Sequence, residues 1–200
     1  MGRHPGRKRV RHTMAITSLT PEQAQTRLSE LTVVDVRTPG EFASGHLPGA
    51  LNVPLDSLDQ ALDALKAAAG RGPLLVVCAS GARSGQACER LSALGVEVAT
   101  LSGGTQAWAK GGRDVHKPGG RREIWAMDRQ VRFTAGSLVL AGVVAGAFWK
   151  PALVLSGGVA AGLVYSAVSN SCAMAAMLSK LPHNRPRTGD LDAALAALKG

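Results

Sequence analysis

Along the first half of the chain, short apolar runs alternate with segments whose apolar residues recur every three or four positions. Thr32–Val36, Leu74–Val77 and Val96–Leu101 are of the first kind, and each reads as a strand of a largely parallel sheet. Leu55, Leu58, Leu62 and Leu65 outline an amphipathic helix ending near Gly70. Ala87, Leu91 and Leu94 outline another, which opens at Arg83-Ser84. Thr20-Pro21-Glu22-Gln23 carries helix-start signals: a capping threonine, proline at the first helical position and glutamine to complete a capping box. Ser102 to Trp108 starts a further helix. Strands alternating with helices predict an α/β domain whose chemistry sits in a loop at a strand's carboxyl end.

The pattern then changes. Glycines, Lys-Pro and a loss of apolar residues mark a linker, and no charge occurs in Phe133–Trp149 or in Pro151–Asn170. Each run is near the lower limit for spanning a bilayer as a helix, and Trp149-Lys150-Pro151 joins them tightly. A two-helix transmembrane hairpin is the expectation; a buried helical pair in a soluble domain is the rival. The predicted organisation is a disordered basic tail over 1–13, the α/β domain over 14–113, a linker over 114–127, the two-helix domain over 128–185 and a terminal helix over 186–200. That last helix, rich in Ala and Leu from Leu191 to Leu198, is expected to lie on the membrane.

Charge changes the picture in one respect. The net charge is +9, concentrated in the amino-terminal run and around the apolar segments. With one Tyr and three Phe there is no stacking platform for single strands, so no nucleic acid is expected. No apolar core of signal-peptide length follows the first basic run, and Met14 is a second candidate start. Basic residues (Arg121, Arg122, Arg129 and Arg132 before the hairpin; Lys180, His183, Arg185 and Arg187 after it) face a single Lys150 in its turn. The positive-inside rule then puts both termini and the α/β domain in the cytoplasm, with a multi-pass membrane anchor. Gly142-Val143-Val144-Ala145-Gly146 and Gly158-Val159-Ala160-Ala161-Gly162 are small-residue faces that serve hairpin packing and are compatible with a homodimer through the helices.

The candidate chemistry lies where Leu74–Val77 ends. Cys78 is followed by Ala79, Ser80, Gly81, Ala82, Arg83 and Ser84 at a helix start. Backbone N–H groups and the helix dipole converge there, which favours a thiolate nucleophile and the binding of an anion. Arg83 supplies a planar cation for an oxyanion. Asp35, at the end of its strand, is read either as shaping this site or as merely ending the strand. Arg37 and Glu41 are expected to pair across the intervening turn. His46 is assigned a structural hydrogen-bonding role, Cys88 a packed core position with a resolving thiol as its rival, and Cys172 a packing role with sulfur acceptance as its rival. No His/Cys spacing points to a metal, and no cofactor is expected.

At Cys78–Arg83 the chain resembles the rhodanese family of sulfurtransferases. Asp35-Val36-Arg37, Glu41-Phe42, Gly45-His46, Pro48-Gly49-Ala50 and the Leu-Ser-Gly-Gly…Ala-Trp stretch up to Trp108 resemble it also. Asp128 to Arg132, the hairpin, Cys172-Ala173-Met174 and Leu181 to Arg185 resemble the small membrane domain fused to rhodaneses in bacterial membrane-associated sulfurtransferases. The resemblance implies a rhodanese-like fold and a multi-pass anchor in a bacterial-type inner membrane. It also implies transfer of sulfane sulfur from a donor such as thiosulfate to a thiol or cyanide-like acceptor through a persulfide on Cys78. Two rivals are kept: a cysteine-dependent phosphatase or arsenate reductase, and a non-catalytic membrane-tethered sulfur or redox sensor. Phosphatases place five residues between cysteine and arginine; four intervene here.

Overall fold

The computed structural model describes residues 16–117, 125, 127–169, 173–181, 184 and 188–200. The basic tail over 1–13, Cys172, His183, Arg185 and Arg187 lie outside these residues, as does part of the expected linker.

Five parallel strands form one sheet in the order β1-β5-β4-β2-β3. They are β1 (Thr17–Leu19), β2 (Thr32–Asp35), β3 (Leu51–Asn52), β4 (Leu74–Val77) and β5 (Val98–Leu101). β4 is central and buried throughout, as an all-apolar strand must be when helices cover both faces. Alternation assigns its residues to two cores. Val34, Leu74 and Val76 face α3 (Leu58–Ala69) and α4 (Ala82–Ala93), where Ala61, Leu65, Ala87 and Leu91 complete the cluster. Val33, Leu75 and Val77 face Ala24 of α1 (Pro21–Thr26) and Trp108 of α5 (Gly104–Lys110).

The capping box at Thr20 and Gln23 is formed. A second one starts α2 (Pro39–Ala43), where Thr38 and Glu41 repeat the Thr-Pro-x-Glu/Gln pattern. The edge strands β1 and β3 carry too few residues to show an alternation, and their pairing depends on strands distant in sequence.

Beyond the α/β domain, α6 (Met127–Gly146) and α7 (Ala152–Ser169) pack as an antiparallel hairpin. The Ser156 hydroxyl donates to the Val139 carbonyl at 3.0 Å. A Cβ at Gly142 would press on the Ala152 carbonyl at 3.1 Å, so this glycine face is used within the hairpin. α7 has a mean hydropathy of 1.7 and, by length and composition, is able to cross a membrane. Leu140, Phe148, Val154, Val164, Tyr165 and Val168 stand exposed around the pair, an apolar belt that calls for lipid rather than water. A short helix, α8 (Ala173–Ser179), packs against α6.

The terminal helix corrects the sequence reading. α9 (Thr188–Lys199) does not lie apart on a membrane surface; it packs on α3 and β3, and Leu198 is fully buried in the core of the α/β domain. Arg71 donates to the Leu198 and Lys199 carbonyls, satisfying the helix's terminal acceptors. A sequence pattern shows an apolar stripe but not what covers it. Leu198→Ala is accordingly expected to lower unfolding stability by about 2–5 kcal/mol, measured by denaturant titration of the detergent-solubilised full chain. A change within a few tenths of a kcal/mol would mean that α9 is not part of this core.

Candidate active site

β4 carries Cys78 to the sheet's carboxyl edge, and Gly81 begins α4 in a left-handed conformation, φ 103°. The chain thereby folds back on itself, and the Gly81 N–H donates to Cys78 Sγ at 3.1 Å. The loop's own carbonyls are held from the other side. Thr105 N–H donates to the Cys78 carbonyl at 2.8 Å and Gln106 N–H to the Ala79 carbonyl at 3.0 Å, both from the first turn of α5. Gly104, φ 59°, makes this approach feasible, since a Cβ there would collide with both carbonyls. Ser84 is fully buried; its hydroxyl donates to the Gly81 carbonyl and shares a 2.8 Å hydrogen bond with Thr100, tying the loop to β5. Its side chain is a brace of the loop. Cys78 itself is 1% exposed, while Ala79, Ser80, Ala82 and Arg83 line the adjoining cavity.

Arg83 does not stand as an isolated cation. Its two terminal nitrogens donate to the two oxygens of Glu41, each at 2.8 Å, in a bidentate pair. This corrects the expected Arg37–Glu41 pairing. Arg37 instead grips Asp35 with its side chain, its shortest contact 2.6 Å, and donates to the Gly45 carbonyl at 2.8 Å. The reason is local: Asp35 leaves β2 two residues before Arg37 and also accepts the Arg37 N–H, while the capping box directs Glu41 toward α4. Asp35 and Arg37 therefore fix the β2–α2 turn and lie outside the cavity lining, to which the neighbouring Val36 and Thr38 contribute. Burial alone would raise the Glu41 pKa, but the hydrogen bonds and charge of Arg83, helped by the Met127 N–H, hold it below the ordinary carboxylate value. Burial likewise opposes the charge on Arg83, and Glu41 reverses the effect and raises its pKa.

Two family descriptions match the chain: a rhodanese-like domain over residues 20–111, and the transmembrane domain of inner membrane protein YgaP-like proteins over 126–187. A sulfurtransferase of Allochromatium vinosum is 33% identical over 109 residues, covering 52% of this chain and 99% of the relative. The chain belongs to the rhodanese family. An uncharacterized Synechocystis protein, slr1261, is 41% identical over 155 residues, 76% of this chain and 84% of its own length. The thiosulfate sulfurtransferase GlpE of Ectopseudomonas mendocina is 37% identical over 92 residues, 45% of this chain and 82% of the relative. The rhodanese domain here is thus joined to an inner-membrane domain.

The remaining candidates are placed as follows. His46 is buried, stacks on Phe42 with ring centroids 3.6 Å apart and hydrogen-bonds the Phe42 carbonyl through Nδ1 at 2.9 Å. Its pKa is lowered, chiefly by burial. Cys88 is fully buried in the core of the rhodanese domain, its thiol donating to the Ala99 carbonyl at 3.7 Å, and burial pushes its pKa up to about 12. Neither side chain lines the cavity. Sequence reasoning missed the wall formed by the membrane domain: Met127, Val131 and Arg132 of α6, Ser166 of α7 and Ala173 to Ser179 of α8 contribute to the cavity beside the Cys78 loop. Met127 N–H also donates to Glu41 at 3.1 Å. A long-range approach of this kind leaves no spacing signal in a single chain.

Glu41 gives this arrangement an acid sensitivity with a definite sign. Its folded pKa lies below its ordinary value of 4.5, so its contribution to stability is complete above that value and is lost as pH falls through the folded pKa. Glu41→Gln is expected to cost about 3–5 kcal/mol at neutral pH, because Arg83 is left without its counter-charge. The variant is also expected to show a shallower fall in stability on acidification. Urea titrations of both proteins from about pH 7 to about pH 3 test this; parallel curves would rule it out.

Proposed function

We propose that the chain is a membrane-anchored sulfurtransferase that carries sulfane sulfur as a persulfide on Cys78. The observation that carries the reading is the backbone seat of Cys78: a Gly81 N–H on Sγ, with the loop carbonyls fixed by the α5 amides. A nucleophile held by a main-chain N–H at a helix N-terminus is suited to anionic sulfur both before and after transfer. The Cys78 thiolate attacks the outer sulfur of thiosulfate, the S–S bond to the sulfonate sulfur breaks, and sulfite leaves with the electron pair. An acceptor thiolate then attacks the outer sulfur of the Cys78 persulfide and releases the Cys78 thiolate. Access to the nearly buried sulfur calls for a shift of Ala79–Gly81, whose side chains are no larger than that of serine.

Arg83, lining the cavity, offers the guanidinium N–H groups not taken by Glu41 to an anionic donor. The backbone of Ala79, Ser80, Gly81 and Ala82 forms the rest of the seat, while Ser84, Asp35 and Arg37 position it. The same reading has α6 and α7 both crossing the inner membrane, with the rhodanese domain and both termini in the cytoplasm. Supporting this are Arg129 and Arg132 in the first turns of α6 and Lys180 beyond α7, against Lys150 alone in the turn between the two helices. A homodimer would meet on α7, where a Cβ at Gly158 or Gly162 encounters nothing within 4 Å.

Intact-protein mass spectrometry after exposure to thiosulfate is expected to show one added sulfur on the wild type and none on Cys78→Ala, with transfer to a thiol abolished in the variant. Continued turnover by Cys78→Ala would refute the mechanism.

A further inference from the structure

The Arg83–Glu41 pair is only as well aimed as the plane of the carboxylate, and the last torsion of a glutamate has no sharp preference of its own. That plane is set by what holds each oxygen. Oε2 takes Arg83 Nη1 at 2.8 Å, and the Thr38 hydroxyl and N–H, at 3.0 and 3.2 Å, pin it to the start of α2. Oε1 takes Arg83 Nη2 at 2.8 Å and, among the described residues, one further donor, the Met127 N–H at 3.1 Å. The two oxygens are thus anchored by different domains. Thr38 lies three residues from Glu41, whereas Met127 opens α6, 86 residues further on. Without the Met127 N–H the carboxylate is free to turn about its Thr38-held oxygen, and the guanidinium turns with it.

That guanidinium faces the Cys78 cavity with 25% of its side chain exposed, while Glu41 behind it is buried. Burial works against a charged Glu41, and the Met127 N–H joins Arg83 and the Arg37 charge in keeping it ionised. First-turn N–H groups of a helix are ordinarily satisfied by a side chain just before the helix or by water. A carboxylate from another domain does nothing for α6 that a local cap would not do. It does fix the carboxylate. Resting on the reading of Arg83 as host of an anionic sulfur donor, we propose that the Met127 N–H is a positioning group of the site, aiming the Arg83 guanidinium, through Glu41, at the anion beside Cys78. The membrane domain is then part of the anion-recognition machinery of the rhodanese domain, and the seat of α6 sets how strongly the site prefers a charged reagent.

The test compares alkylation of Cys78 by iodoacetate, an anion, and by iodoacetamide, its neutral counterpart, in the full chain in detergent or nanodiscs. Peptide mass spectrometry follows Cys78, and the readout is the ratio of the two rate constants, iodoacetate over iodoacetamide. Met127→Pro removes the N–H at a first helical position, which accepts proline, and Met127→Leu keeps it. The ratio in Met127→Pro is expected to fall about three- to tenfold below that in Met127→Leu, the scale of one net hydrogen bond. The double variant Glu41→Gln with Arg83→Gln removes both charges together, so that neither is left unpaired. Its ratio is expected to be low, and adding Met127→Pro to lower it no further. Equal ratios in Met127→Pro and Met127→Leu overturn the proposal, as does a further fall when Met127→Pro joins the double variant. A contact that merely docks the two domains would change both rates by the same factor. If Met127→Pro does not fold, Gln130→Leu decides. The Gln130 amide donates to the Trp125 carbonyl at 2.7 Å and accepts from Asn184 at 3.0 Å, holding the chain on either side of Met127. Its loss is expected to lower the ratio in the same direction, and an unchanged ratio overturns the proposal. A wild-type ratio equal to that of the double variant sinks the reading of Arg83 as the anion host. A double variant that loses the preference while Met127→Pro keeps it sinks only the assignment of Met127.

Discussion

The carboxylate of Glu41 holds together three parts of this molecule that are far apart in sequence. It begins α2 as the partner of Thr38, receives both terminal nitrogens of Arg83 from α4, and accepts the Met127 N–H at the start of α6. Glu41 is 1% exposed, and an unpaired charge at that depth would be expensive. The bidentate geometry therefore constrains more than the two side chains. It fixes the arginine of the Cys78 loop, the turn leaving β2 and the start of α6 relative to one another. A looser pairing would leave one of these charges without compensation, which gives the arrangement its directionality.

Around that pair, the seat of Cys78 is built mainly from backbone. The central strand delivers the cysteine, a left-handed glycine turns the chain, and the amides of α5 hold the loop's carbonyls. Such a seat depends on the absence of side chains at Gly81 and Gly104 as much as on the presence of any group. Ser84 and Thr100 add a buried hydroxyl contact from the neighbouring strand, so the loop is tied to β5 as well as to α5. Support on several sides holds the Cys78 thiol at the sheet's carboxyl edge.

The membrane half follows other rules. Lipid provides no hydrophobic force between helices, and α6 and α7 meet through small residues, Gly142 and Gly146 against Ala152 and Leu153, with the Ser156 hydroxyl bonding across. Leu140, Phe148, Val154, Val164, Tyr165 and Val168 stay exposed on their outer faces and hairpin turn. The cytoplasmic ends in the proposed topology are different: Met127, Arg132 and α8 turn toward the rhodanese domain and share its cavity. Fusion to the membrane therefore alters the surroundings of the sulfur as well as its location.

Much of this was legible in the residues themselves. The all-apolar β4, the Cys78–Arg83 loop, the capping box at Thr20 and the charge-free runs depend on neighbours within a few positions, so spacing and residue type encode them directly. The Thr38–Glu41 box was equally encoded, but its glutamate served a distant arginine, and the nearer Arg37 was the wrong partner to assign. Tertiary structure alone decided the seating of α9 on the α3 face, the role of Gly104 under the loop and the membrane domain's share of the cavity. Each of these joins segments brought together only by folding. A periodic apolar stripe states that a surface must be covered, and only the packing of the whole chain states by what.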